Sequence, residues 1–411
     1  MNPSLASVLE ALDRTADRII DWQRALVAVP ALGPDNGGDG EEAKATVIEG
    51  WLTAMGLTVE HVDAPDDRVP TGLRPNLIAR LPGKTPRTLW VIGHTDVVPP
   101  GDREKWGGDP YELRIKRDRL FGRGTLDDHQ ALCSALAVIS AVLDQGLTPE
   151  LTLGFLAVAD EETGSKYGLD HVVAQRPDLF SPDDLIVIPD FWTADGLAIE
   201  VAEKSLLWLK FTVEGKQCHA STPHLGCNSL YAAARLIVAL DELKRAYDAE
   251  DPLYDHPSST FECTKKDPNV ENVNSVPGRD VFYLDARILP VYHPEAVLET
   301  ARLVAGDIEM QTQTQIEVEA VQQVVAPPPT PVDAPVVQAL TRAIQALRHQ
   351  DPRPIGIGGG TVAAFFRKRG FPVAVWGTGP HTAHMPDEFC RLSNLIDDAK
   401  VLAHILFEER R

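Results

Sequence analysis

Five residues scattered along this chain carry donor atoms in similar settings: His94, Asp127, Glu162, Asp190 and His384. Leu89-Trp90-Val91-Ile92 runs into Gly93-His94-Thr95-Asp96. Leu120-Phe121-Gly122-Arg123-Gly124-Thr125-Leu126 runs into Asp127-Asp128. Leu151 to Val158 leads to Asp160-Glu161-Glu162, and Leu185 to Ile188 to Pro189-Asp190. In an open α/β sheet, the carboxyl ends of the strands gather such side chains beside one crevice. Imidazoles and carboxylates without thiolates suit zinc, cobalt or manganese. Three carboxylates and two imidazoles suffice for a two-metal centre in which one carboxylate bridges. Such ions lie ~3.5–4 Å apart and activate a shared water.

The neighbours of these residues extend the chemistry. Glu161 adjoins a ligand but points to the other side of the chain. It is the natural general base, moving a proton from the water to a leaving amine. Asp96 lies two residues beyond His94, so both face one way in an extended segment, and a carboxylate on the second ring nitrogen is a common metal-site arrangement. Asp128 is expected to cap the helix that starts there, and His129 is left open. His219, in Cys218-His219-Ala220-Ser221, is read as a hydrogen-bond donor to an oxyanion. Gly356-Ile357-Gly358-Gly359-Gly360-Thr361 is expected to open a helix whose amides take a substrate carboxylate, a plain tight turn being the alternative. No Lys-Ser/Thr pair follows those glycines, and neither G-x-S-x-G nor H-E-x-x-H occurs.

The elements that must position these residues alternate. A length of 411 residues favours two domains. Apolar periodicity places amphipathic helices at 3–28 and about 41–55, a buried helix at 129–144, and strands at 57–62, 76–81, 89–94, 151–158 and 185–188. The fold class expected is α/β, a mostly parallel sheet flanked by helices. From about 204 the order becomes β-α-β-β-α-β, that of a ferredoxin-like α+β unit. Pro327-Pro328-Pro329 leads out of it, and α/β alternation resumes, ending in a helix at 391–409. The division expected is 1–203 and 327–411 for the catalytic domain and 204–326 for the insert.

The 60 acidic against 39 basic residues give a formal charge of −21. That argues against nucleic acid and anionic membrane as partners. Five scattered cysteines without C-x-x-C fit reduced thiols and a cytoplasmic location. Acidic residues interrupt the N-terminal apolar pattern, so no signal peptide is expected, and no stretch approaches a membrane span.

Four motifs, Gly93-His94-Thr95-Asp96-Val97-Val98-Pro99, Gly122-Arg123-Gly124-Thr125-Leu126-Asp127, Asp160-Glu161-Glu162 and Ala383-His384-Met385-Pro386-Asp387-Glu388, occur in one order. In them the chain resembles the co-catalytic zinc metallopeptidase family of succinyl-diaminopimelate desuccinylase, acetylornithine deacetylase, aminoacylase and glutamate carboxypeptidase. The resemblance implies two divalent ions, zinc first. It puts His94 and Asp190 on one, Glu162 and His384 on the other, and Asp127 between. It makes Glu161 the base and Asp96 the acid orienting His94. It also implies a lid and homodimerisation role for the insert, whose His219 often acts across the dimer. Asn274, Arg287, Gly360 and Thr361 fall where the family holds the substrate carboxylate. Asp128-His129-Gln130 and Val362-Ala363-Ala364-Phe365 depart from the family pattern and leave the subtype open. The reading is therefore a two-metal amidohydrolase of a small N-acyl amino acid or short peptide. A hydrolytic deaminase and a non-catalytic metal-dependent binding protein stand as alternatives.

Overall fold

A computed structural model describes residues 3–408. They form two compact units, the first made of residues up to Val201, Thr330–Pro354 and from Phe365 on. The second comprises Ala202–Pro329 together with Ile355–Ala364. The sequence reading kept all of 327–411 with the first part of the chain, whereas 355–364 packs with the second unit.

Among the described residues the main sheet has eight strands. Their spatial order is Val59–His61, Leu77–Leu81, Thr152–Val158, Thr88–His94, Leu185–Thr193, Val373–Thr378, Ala198–Glu203 and Arg353–Ile357. The middle of the sheet is parallel, from Thr152–Val158 across to Val373–Thr378. The flanking strands Leu77–Leu81 and Ala198–Glu203 pair antiparallel. Every residue of Thr88–His94 is buried, which is why that strand reads as a continuous apolar run rather than an alternating one. The helix His129–Asp144 is buried almost all round and packs against the helices Pro3–Leu12, Ala16–Val27 and Leu392–Leu406. Among the described residues no helix is long and apolar enough to cross a membrane.

Three local expectations change. The helix expected at 3–28 is two helices, Pro3–Leu12 and Ala16–Val27. Between them the Thr15 hydroxyl donates to the Leu12 carbonyl at 2.7 Å, a local bond that competes with helix continuation. The strand beginning at Leu185 runs past Pro189 to Thr193, so Asp190 lies within it rather than after it. The pairing with Val373–Thr378 slips there: Ile188 faces Val375 and Trp192 faces Gly377. Such a bulge re-aims side chains beside a site. The last helix ends at Leu406, and its expected end at 409 lies outside the described residues.

The second unit is a four-stranded antiparallel sheet in the order Thr260–Lys266, Arg279–Ile288, Ser205–Glu214, Gln315–Val324. Helices Ser229–Ala239 and Pro294–Thr312 cover one face. Alternate residues Leu207, Leu209, Phe211 and Val213 form the inner face with Phe282 and Leu284, as a period of two requires. The strand order is that of the expected ferredoxin-like unit.

Candidate metal centre

His94 ends the central strand and is 2 % exposed. Its Nδ1 lies 3.0 Å from the Asp96 carbonyl oxygen and 3.5 Å from Asp96 Oδ1. That leaves Nε2 facing inward, 2.8 Å from Asp127 Oδ1. The Asp96 carboxylate also accepts the backbone N–H groups of Glu161 and Glu162, each at 3.0 Å. One buried acid thus holds both the imidazole and the acidic turn. Asp160 supports that turn from a left-handed conformation, φ 61°, which aspartate tolerates.

The remaining candidates converge on the same place. Donor atoms of His94, Asp127 and Glu162 lie within 4.8 Å of one another, as do those of His94, Glu161 and Asp190. His384 Nε2 is 3.1 Å from Asp127 Oδ2 and 3.0 Å from Glu162 Oε2. The structure therefore brings together all five expected ligands and the expected base. It also places Glu161, not Asp127, in one ligand-sized group with Asp190.

The electrostatics show what such a cluster needs. Burial, reinforced by Glu162, Asp127 and Asp96 against the opposing His94, pushes Glu161 up to about 8. Burial and then Glu161 and Asp127 hold Asp190 well above the carboxylate range. Asp127, then Glu162, raises His384 to about 10. Two imidazoles amid four crowded carboxylates form a donor set that fits divalent cations, which would relieve this repulsion. Cation entry must then displace protons from Glu161, Asp190 and His384. Affinity for a divalent metal should rise between pH 6 and pH 8, with proton release measurable in weakly buffered solution. Uptake without proton release would count against this donor set.

Glu388 organises the turn that carries Asp127. Its carboxylate accepts the N–H groups of Gly124, Leu126 and Asp127 at 3.2, 3.0 and 3.1 Å. It also accepts from the Arg123 guanidinium at 2.6 Å. The Asp127–Asp128 peptide is cis. Asp128 does not cap the following helix, contrary to expectation. Its side chain turns inward, where Oδ2 accepts the His94 N–H at 3.2 Å. Burial and the neighbouring Asp127 hold it well above the usual carboxylate range. The His129 ring, which the sequence left unassigned, meets Lys44 Nζ at 2.7 Å, both side chains being buried.

Lys44, Glu41 and Arg74 went unrecognised in the sequence. One signal was available: Lys44, Ile48 and Leu52 share a face of the helix Glu42–Ala54, so helical spacing sets Lys44 among apolar residues.

In the second unit His219 is exposed on a short strand. Its Nδ1 accepts the Ser221 N–H at 3.1 Å, an arrangement that puts the ring proton on Nε2. Arg287 forks onto a carboxylate of this chain. Its Nε and one terminal nitrogen donate to the two Asp285 oxygens at 2.7 and 3.0 Å, and the other donates to the Gly358 carbonyl at 3.1 Å. The glycine run does not open a helix. It leaves the strand Arg353–Ile357 as a loop, and the next helix, Ala363–Arg367, is a single short piece. The Thr361 N–H and hydroxyl both donate to Glu203 Oε1, at 3.0 and 2.5 Å. Gly360 stays in that loop, and the carbonyl of exposed Asn274 accepts the Ala220 N–H at 2.8 Å.

At the carboxyl ends of the parallel strands two imidazoles and four carboxylates thus gather in one cluster. Residues 90–408 match the model of peptidase family M20/M25/M40, and the chain belongs to that family. An uncharacterised metallohydrolase of Methanococcus maripaludis is 35 % identical over 95 % of this chain and 99 % of its own. Succinyl-diaminopimelate desuccinylase of Gluconobacter oxydans is 31 % identical over 92 % of this chain and 94 % of its own. Human carnosine dipeptidase 1 shares the fold, with a TM-score of 0.75 at 19 % identity, over 98 % of each chain. The chain is a hydrolase acting on amide or peptide bonds, of a family that works with divalent metal.

Proposed function

We propose that this enzyme cleaves the amide of a small N-acyl amino acid or short peptide bearing a free carboxylate. One observation carries the reading: His94, Asp127, Glu161, Glu162, Asp190 and His384 reach one cluster from five separate stretches of chain. His94 and Asp190 would hold one cation and Glu162 and His384 a second, with Asp127 between them and zinc the preferred ion. When bound, the cations supply Lewis acidity to the scissile carbonyl and acidify a shared water. Glu161 takes the proton of that water and delivers it to the departing amine. Asp96 keeps His94 in the tautomer that turns Nε2 inward and fixes the backbone of Glu161 and Glu162.

His219, with its proton on Nε2, would be the donor to the developing oxyanion, in cis or across a homodimer. Asn274, Gly360 and Thr361 would meet the substrate carboxylate. Arg287 would exchange Asp285 for it, one bidentate partner for another. The 31 % relative named a desuccinylase supports an acylated amino acid as substrate.

The reading is tested with protein reconstituted with zinc, cobalt or manganese. N-succinyl, N-acetyl and N-carbamoyl amino acids and dipeptides form the panel. Turnover of at least one class is expected, and should be lost when its carboxylate is methylated. Ammonia release without formation of an acid would replace the reading with a deaminase. Tight binding with no turnover anywhere in the panel would replace it with a binding protein.

A further inference from the structure

The turns that carry the candidate ligands are propped from behind by the start of one helix. Glu41 and Lys44, in and just before the first turn of Glu42–Ala54, are both about 1 % exposed. Both precede residue 90, where the match to the family model begins. Glu41 serves the acidic turn. It pairs with Arg74, itself fully buried, whose Nε donates to Oε2 at 2.6 Å. Glu41 Oε1 also lies 3.4 Å from the Asp160 N–H, and Arg74 lies 3.5 Å from Asp160 Oδ1.

Lys44 serves the other turn. Its Nζ donates to His129 Nε2 at 2.7 Å. The His129 backbone N–H donates to the Gly124 carbonyl at 2.9 Å. The ring lies so close to Gly124 that a Cβ there would come within 2.6 Å of Cε1. Gly124 itself has φ 88°, so no larger residue fits there without strain. The imidazole is thus a wedge between Lys44 and the turn that ends at Asp127. The anions that act on Lys44 against its burial are Asp96, Glu41 and Glu388. Asp96 gathers the backbone of Glu161 and Glu162, and Glu388 that of Gly124, Leu126 and Asp127.

We propose that Lys44 is a positioning residue for the metal centre: through His129 it fixes the turn bearing Asp127 relative to the turn bearing Glu162. This rests on the reading that those carboxylates hold cations. Lys44 reaches them only through His129 and the turn, so its effect is on the spacing of the donors rather than on a reacting atom. Partners behind metal ligands typically matter about 10–100-fold in metal affinity.

Lys44→Met keeps the apolar stem as far as Cε and removes the donor; Lys44→Gln keeps a neutral donor on a chain one atom shorter. Each is compared with the full-length wild type by cobalt titration, followed by calorimetry and visible absorption. Far-UV circular dichroism checks the fold. The wild type should bind cobalt. Lys44→Met should lose about 10-fold or more in affinity for at least one ion and shift the cobalt band. Lys44→Gln should restore much of both. On an amide substrate, kcat should fall in Lys44→Met while KM holds. A folded Lys44→Met protein with the wild-type titration and spectrum would overturn the proposal and leave the centre standing. A wild type that binds no cobalt would instead overturn the centre. Should Lys44→Met not fold, the double variant Lys44→Met, His129→Phe removes both partners and leaves no orphaned polar atom. It is read in the same way.

Discussion

Glu161→Gln should lower kcat by about 10²–10⁴-fold while the protein stays folded and keeps its metal. The amide has the shape of the carboxyl group, so packing in this buried place is preserved. What changes is proton chemistry: an amide cannot accept the proton of an attacking water. Burial and the neighbouring acids hold Glu161 up to about 8, so near neutral pH and without cations glutamine replaces a largely protonated carboxyl, and stability should hold. The geometry makes the test sharper than the sequence alone could. Glu161 falls within one ligand-sized group with His94 and Asp190, so it could in principle act as a ligand or as a base. Metal analysis beside turnover separates the two. Full metal content with collapsed kcat assigns the base. Loss of one ion per chain assigns a ligand, and unchanged turnover removes Glu161 from the mechanism.

The donors of the cluster were legible in the sequence because strand ends are legible. An apolar run that stops at a polar residue announces both a buried strand and what it delivers, and Leu89–Ile92 before His94 or Leu151–Val158 before the acidic turn are of that kind. The ferredoxin-like unit was legible for a related reason: its strands alternate with period two and its helices do not. What escaped was long-range pairing of polar groups inside the protein. Arg74 and Glu41 are 33 residues apart, and neither advertises burial, because charged residues are mostly exposed. Asp128 followed the same pattern. Its position is that of a helix cap, yet the His94 backbone claims its carboxylate. The Arg287–Asp285 pair is readable in the sequence, since residues two apart on a strand share a face. The bulge that sets Asp190 within its strand depends on the register of Val373–Thr378, which local pattern does not encode.

Glu388→Ala is expected to have the largest effect on the fold of the site, and Glu388→Gln a much smaller one. Glu388 is fully buried, and its carboxylate is the common acceptor for Gly124, Leu126, Asp127 and Arg123. Alanine deletes all four contacts at once. Among the described residues, the guanidinium of Arg123, itself 2 % exposed, then keeps the Pro99 carbonyl at 3.3 Å and the Trp106 ring. Breaking a buried pair from one side costs about 3–5 kcal/mol because the other charge stays buried. Three backbone N–H groups lose their acceptor as well, each a further penalty where water cannot reach. Glutamine retains one carbonyl oxygen, so it can still gather part of the turn while giving up the charge opposite Arg123. Thermal unfolding should therefore rank wild type above Glu388→Gln, and Glu388→Gln well above Glu388→Ala. Metal affinity should follow the same order, because Asp127 is the residue whose backbone is released. If Glu388→Ala melted with the wild type and bound metal equally well, the turn would be holding its own shape, and Asp127 would owe its position to the strand and helix on either side.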